Sequence, residues 1–272
     1  MAVSPAEAGF VPVCGAPLYY EVSGAGRPLI LIHEGIADCR MYDEQVAAFA
    51  ARYRVLRYDV HGFGQSGLPS GAYSNHDALY DLLQQLGLGR TALLGMSMGG
   101  GIALDFALVY PELVDALILA GSAVSGYEGT PDIQRQAEQQ WGAIQAALER
   151  NDLAQAVALT LRMWFDGPQR RPDQVDPAVR RRAGELAAHC LIRPDSTAQP
   201  LEPPAAPRLA EIAVPTLVIV GDGDQPDILA IADLLHQGIA GARKVVIPEV
   251  AHLPNMERPE LFNRLVLDFL GE

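Results

Sequence analysis

The pentapeptide Gly95-Met96-Ser97-Met98-Gly99 constrains this chain more than any other stretch. It follows an apolar run, Thr91 to Leu94, and opens an apolar helical stretch from Gly100 to Tyr110. That is the strand–turn–helix setting in which a G-x-S-x-G turn sets a serine on a sharp, strained bend. So tight a bend leaves no room for side chains two positions either side of the serine, and glycine meets the need at both. The strain pushes the hydroxyl outward, where a base and a substrate can both reach it. Alone the pentapeptide is a weak signal, because a chain with 26 glycines in 272 residues produces such a pattern by accident often enough. The remainder of the chain has to supply the context.

Short apolar runs and helical periods alternate along most of the sequence. Leu18 to Val22, Leu29 to Ile32, Val55 to Tyr58, Ala92 to Leu94, Leu113 to Ala120, Thr216 to Val220 and Lys244 to Ile247 read as strands. Between them, Glu44 to Arg52, His76 to Leu86, Ile102 to Tyr110, Ile228 to Gln237 and Glu260 to Leu270 have helical spacing. Alternation of this kind predicts an α/β fold with a mainly parallel sheet. The central runs are apolar on both alternating faces, as strands covered from both sides are. The alternation breaks from about Ser122 to Pro215, where helical segments stand instead: Ile133 to Arg150, Leu153 to Phe165 and Ala178 to Leu191. The proline-rich stretch Pro194 to Pro207 reads as a linker. The expected partition is a core domain of 1–124 and 208–272 and an all-helical cap domain of 125–207.

Nearly half the residues are apolar, enough for one large core, and the formal net charge is −13. An acidic surface repels nucleic acid and anionic membrane, so neither is expected as a partner. Cys14, Cys39 and Cys190 are odd in number and far apart, which suits reduced thiols in the cytoplasm better than a disulfide framework. None lies in a metal-ligand pattern, and no metal is expected. MAVSPAEAGF has no basic region ahead of an apolar core and is not read as a signal peptide. No apolar run approaches the length of a membrane span.

A serine hydroxyl is a poor nucleophile until an imidazole takes its proton, and a carboxylate orients that imidazole. Of six histidines, His252 lies in a loop near the carboxyl end, after the last strand and before the final helix. The acid is expected past the strand Thr216 to Val220, in Gly221-Asp222-Gly223-Asp224-Gln225-Pro226-Asp227. Asp224 is placed far enough along to turn back over the sheet edge. Asp222 and Asp227 compete with it, and the two not used read as turn and cap residues.

With these residues in hand the chain is identified as a member of the α/β-hydrolase superfamily, from about residue 17 to the C-terminus. The order Ser97, Asp224, His252 is the family's order of nucleophile, acid and base. Leu31-Ile-His33, Arg40-Met-Tyr-Asp-Glu-Gln45 and Asp59-Val-His-Gly-Phe-Gly-Gln-Ser66 also resemble family stretches. The resemblance implies an α/β-hydrolase fold and an oxyanion hole of two backbone N–H groups. Met98 would give one, at a helix N-terminus. The other would come from the loop after Leu29 to Ile32. The family usually has His-Gly-X there, and this chain has His33-Glu34-Gly35-Ile36, so the donor falls to Gly35 and Glu34 stands where a glycine is usual. Glu34 reads as a solvated or paired loop residue, with a carboxylate that tunes substrate choice as the alternative.

Gly62-Phe-Gly64-Gln-Ser-Gly67 is a formal G-x-G-x-x-G after a strand, but Pro69, Ser70 and Gly71 follow it and extend a loop where a dinucleotide site needs a helix. His61 in that loop reads as structural. Trp141, Trp164 and Phe165 stand at helical spacing, which mostly means core, with one or two free to line a pocket roof. Glu34, Ile36, Trp141 and Trp164 are the expected pocket residues. The wording Gly95-Met-Ser-Met-Gly-Gly100 is similar to that of β-ketoadipate enol-lactone hydrolases, and the compact plan resembles carboxylesterases. The resemblance therefore implies a cofactor-free serine hydrolase of a small-molecule ester or lactone, monomeric or homodimeric. Its rivals are carbon–carbon bond hydrolysis or perhydrolysis and haloperoxidation with the same triad, and a slow-turnover ligand receptor.

Overall fold

The apolar runs assemble into one sheet of eight strands: β1 (Glu7–Val13), β2 (Ala16–Ser23), β3 (Arg27–Ile32), β4 (Tyr53–Tyr58), β5 (Thr91–Met96), β6 (Val114–Ala120), β7 (Thr216–Gly221) and β8 (Arg243–Ile247). The computed structural model describes residues 7–192 and 197–271. The first six residues, part of the stretch read as lacking a leader, and 194–196 of the expected linker lie outside the described residues. The strand order is β1-β2-β4-β3-β5-β6-β7-β8. β2 runs antiparallel to β1 and β4, and every other pairing is parallel.

Side chains on β3 alternate between two cores. Ile30 and Ile32 enter the core under helices α2 (Asn75–Gln85), α3 (Met98–Val109) and α7 (Pro226–Gly238), while Leu29 and Leu31 enter the core under α1 (Asp43–Ala50) and α9 (Pro259–Leu270). Period-two alternation with both faces apolar is what a sheet sandwiched between helix layers requires. β1 is the strand the sequence hid. Gly9 and Pro12 dilute its alternation, and its hairpin turns through Cys14 and Gly15, both at positive φ (51° and 78°). That is a two-residue turn of the primed kind with cysteine where asparagine is usual.

Between β6 and β7 the chain is helical, as expected: α4 (Pro131–Glu149), α5 (Leu153–Thr160) and α6 (Pro177–Leu191). Thr130, Asp152 and Asp176 cap them through side-chain oxygens that accept backbone N–H groups. One expectation fails here. The helix over Leu153 to Phe165 is not continuous, because α5 stops at Thr160 and Leu161–Asp166 forms a π-helical turn. A π turn carries an extra residue per turn and redirects the side chains that follow it. Among the described residues no helix is long and apolar enough to cross a membrane.

Candidate active site

The sheet order reverses direction at β3 and β5, where open α/β sheets form a crevice at their carboxyl ends. The register pairs Ile32 with Gly95, Met96 with Ala120, Ala120 with Ile219 and Gly221 with Ile247. The loops leaving β3, β5, β7 and β8 therefore emerge side by side, and they carry Glu34 and Gly35, Ser97, Asp224 and His252.

Ser97 is held at φ 50°, ψ −113°, a conformation that strains any residue with a Cβ. The glycines around it have no alternative. A Cβ on Gly95 would lie 2.1 Å from the Gly99 carbonyl oxygen, and one on Gly99 would lie 2.1 Å from that of Ile32. The bend is tied into the sheet by the Ser97 N–H, which donates to the Ala120 carbonyl at 3.0 Å, and by the Ala123 N–H, which donates to the Ser97 carbonyl at 2.9 Å.

His252 is 1% exposed, in the loop between β8 and the short helix α8 (Pro254–Glu257). Its Nδ1–H points at the Asp224 carboxylate, 2.9 Å from Oδ2 and 3.1 Å from Oδ1. Of the three competing aspartates, Asp224 alone meets the imidazole. Asp222 accepts the Glu249 N–H and Asp227 accepts the Ile228 N–H in the first turn of α7, the turn and cap duties expected of the unused pair. Burial opposes a charged imidazole, but Asp224, Glu34 and Asp227 together outweigh it, and His252 titrates above the ordinary histidine value. Trp164, thrown forward by the π turn, packs on the imidazole with ring centroids 4.5 Å apart, and its carbonyl accepts the His252 N–H at 3.2 Å.

The loop after β3 is fixed by His33. The Val60 N–H donates to His33 Nε2 at 2.9 Å, so the proton sits on Nδ1 and is donated to the Glu34 carbonyl at 2.7 Å. Burial lowers the pKa of this ring, in keeping with a neutral imidazole. The Glu34–Gly35 peptide is trans, so pinning its carbonyl to His33 turns the Gly35 N–H the other way. Gly35 faces Met98, the first residue of α3: a Cβ on Gly35 would stand 3.9 Å from the Met98 Cβ.

Of the two expectations for Glu34 as a loop residue, solvated or paired, the solvated one does not hold. Glu34 is 1% exposed, with Oε2 3.9 Å from His252 Nε2 and Oε1 without a hydrogen-bond partner among the described residues. Burial raises its pKa to about 7; His252 pulls it down and Asp224 pushes it up. The Cα of Glu34 lies in the loop, but its carboxylate reaches the imidazole nitrogen opposite the one that Asp224 holds.

Glu34, Gly35, Ile36, Ser97, Met98, Trp141, Trp164 and His252 all line one cavity of about 450 Å³. Asp224 lies behind it, against His252. Trp141 and Trp164 are thus pocket residues, 6.3 Å apart between centroids, whereas Phe165 is buried core. The cavity also takes in Asn75 and Asp105, which sequence reasoning passed over. The signal for Asp105 was present, since it is the lone charged side chain of α3 and falls two turns after Ser97 on the same face. Its carboxylate accepts the Ser125 hydroxyl at 3.2 Å, and burial raises its pKa to about 6.

The Gly62–Gly67 segment is a loop, as expected, with His61 Nδ1 3.0 Å from the Gly67 carbonyl and its ring edge-on to Tyr73. Asp38, Cys39 and Asp59 converge closely enough to suggest a metal site. Donors already occupy the two carboxylates: Arg40 holds Asp38, and the Cys39 and Gln65 N–H groups hold Asp59. The cluster locks two loops together.

A strained serine on a strand–helix bend, sharing a crevice with a carboxylate-held imidazole at the carboxyl edge of such a sheet, defines the serine-hydrolase plan of an α/β-hydrolase. The family model of the alpha/beta hydrolase fold matches residues 28–259, and the chain belongs to that family. It is 27% identical over 268 residues to 3-oxoadipate enol-lactonase 1 of Acinetobacter baylyi, covering 94% of each chain. It is 30% identical over 264 residues to the 2-hydroxy-6-oxononadienedioate/2-hydroxy-6-oxononatrienedioate hydrolase of Burkholderia vietnamiensis, covering 93% of this chain and 90% of that one. Among solved structures, a hydrolase from Pseudomonas aeruginosa PA01 superposes with a TM-score of 0.78 at 30% identity, over 98% of this chain and 99% of that one.

Proposed function

We propose that the protein hydrolyses a carboxylic ester or lactone of a small molecule through an acyl-enzyme. The observation that carries this reading is Ser97, held at positive φ in the cavity it shares with His252, whose other face is bonded to Asp224. Ser97 Oγ attacks the carbonyl carbon while His252 Nε2 takes its proton. The Gly35 and Met98 N–H groups stabilise the oxyanion, and the N-terminus of α3 adds its dipole. The tetrahedral adduct collapses, and the leaving oxygen takes the proton back from Nε2. A water molecule then gives a proton to His252 Nε2 and attacks the acyl carbon, and as this second adduct collapses Ser97 Oγ leaves and takes the proton from Nε2, which releases the acid and restores the serine hydroxyl. Asp224 keeps the imidazole in the tautomer that leaves Nε2 free.

In this reading, residues 125–207 are a cap domain whose π turn sets Trp164 over the base, and the core is 1–124 with 208–272. The enzyme works in the cytoplasm as a monomer or homodimer, and its chemistry draws on no metal or organic cofactor. Support for a lactone or ester comes from the resemblance to the enol-lactonase. The nonadienedioate hydrolase, at 30% identity, supports a second reading, carbon–carbon bond hydrolysis by the same residues.

Fluorophosphonate labelling of the wild type and of Ser97→Ala, followed by a panel of p-nitrophenyl esters, lactones and vinylogous diketones, tests both. The expected result is labelling lost in Ser97→Ala and turnover confined to esters and lactones. Turnover of the diketones alone selects the second reading, and labelling retained in Ser97→Ala overturns both.

A further inference from the structure

We infer that the cavity beside Ser97 takes esters or lactones whose non-reacting arm carries a protonated amine, and turns away arms that carry a carboxylate. This rests on the acyl-transfer reading and adds the charge of the substrate to it.

Among the described residues, the charged side chains lining the cavity are Glu34 and Asp105, both acids, and no arginine or lysine lines it. Glu34 lines the cavity, and its Oε1 is buried and has no donor among the described residues. An acceptor left so loses its water without replacement, and a ligand N–H supplies what is missing. Asn75 Oδ1, also on the wall, is a second unpartnered acceptor, against one unpartnered donor there among the described residues, Trp164 Nε1. Away from the oxyanion hole, the buried side-chain atoms of the wall that await a partner are thus two acceptors and one donor. Trp141 and Trp164, tilted 54° to each other, both line the cavity, and an indole is the side chain that best attracts an ammonium group. Arg208 acts on Asp105 from outside the cavity, but its guanidinium is already bonded to Glu211. Among the described residues His252 is the one lining group able to become cationic, and its charge is transient in the reaction. A carboxylate arm would meet two acids with no standing counter-charge, whereas an ammonium arm would meet two acids and two indoles.

Three matched acetates test the charge: 3-(dimethylamino)propyl acetate, its uncharged isostere 4-methylpentyl acetate, and 4-acetoxybutanoate. At about pH 8, where both acids are ionised, kcat/KM is expected to fall in that order by about tenfold or more per step, the scale of one partly screened charge pair. The order should collapse in Glu34→Gln/Asp105→Asn, and part-way in each single variant should the double variant fail to fold. Binding gives a readout free of turnover, because both tryptophans of the chain line this cavity. Quenching of their fluorescence should rank the alcohols 3-(dimethylamino)propanol, 4-methylpentanol and 4-hydroxybutanoate likewise. A neutral ester or alcohol that equals or beats its amine counterpart overturns the inference, as does a preference that survives both substitutions. Amine-selective binding without cleavage of any ester would leave this inference standing and sink the acyl-transfer reading.

Discussion

Glu34 and His252 share one electrostatic problem, because each sits buried with its reactive atom facing the other. His252 must be neutral to accept the Ser97 proton, and its raised pKa places the acid limb of kcat/KM above the value for a free histidine. Glu34 contributes to that rise, so Glu34→Gln should move the acid limb to lower pH, with kcat/KM against pH as the measurement; an unmoved limb would show that the two groups do not couple. The same carboxyl governs stability. Its folded pKa of about 7 stands above the ordinary 4.5, so between these values the native state holds a proton that the unfolded chain has lost. Stability therefore declines as pH rises through that window, by at most about 3 kcal/mol from this group. Urea unfolding should find Glu34→Gln more stable than wild type at about pH 8 and little changed at about pH 4, below the window. The sequence marked Glu34 as a departure from the family pattern, but nothing in it showed that the β3 loop folds the carboxylate inward. Ser97, Asp224 and His252 were legible because strained bends and carboxyl-side loops leave local signatures.

The loop carrying His252 is braced from the helical insertion. Arg170 grips Glu257 with two hydrogen bonds, at 2.6 and 3.0 Å, and donates to the Glu249 carbonyl at 2.7 Å. Glu257 in turn accepts the Ala251 N–H at 3.0 Å, one residue before His252. Both side chains of this pair are largely buried, and leaving one charge unpaired there costs about 3 kcal/mol. Arg170→Ala should lower the unfolding free energy by about that amount. It should also lower kcat and raise KM together, since Arg170 donates as well to the Phe165 and Asp166 carbonyls, at 2.6 and 2.9 Å, in the turn that carries Trp164; a lowered kcat with unchanged KM would confine its bracing to the His252 loop. Such long-range braces are beyond sequence reading, as is the π turn at Leu161–Asp166, whose residues have ordinary helical spacing. The long helices and buried strands were legible because their periods are set locally, and edge strand β1 was not because Gly9 and Pro12 dilute its alternation.

At the scale of the whole chain, the charge of −13 and the acidic cavity pull in the same direction. A negative surface raises the local concentration of a cationic substrate and lowers that of an anionic one, over distances set by the ionic atmosphere. Raising ionic strength from about 0.01 M to about 0.1 M shortens that distance from about 30 Å to about 10 Å, which removes most of the contribution of exposed carboxylates but little of that from Glu34. For 3-(dimethylamino)propyl acetate, kcat/KM should therefore fall about two- to threefold over this range and then level off. The plateau should remain above the value for 4-methylpentyl acetate, whose own kcat/KM stays flat. The height of the plateau measures the buried carboxylates and the size of the fall measures the surface. Glu34→Gln should lower the plateau and leave the fall unchanged. A fall that continued until the two esters coincided would place the whole preference on the outside of the molecule and remove Glu34 from it.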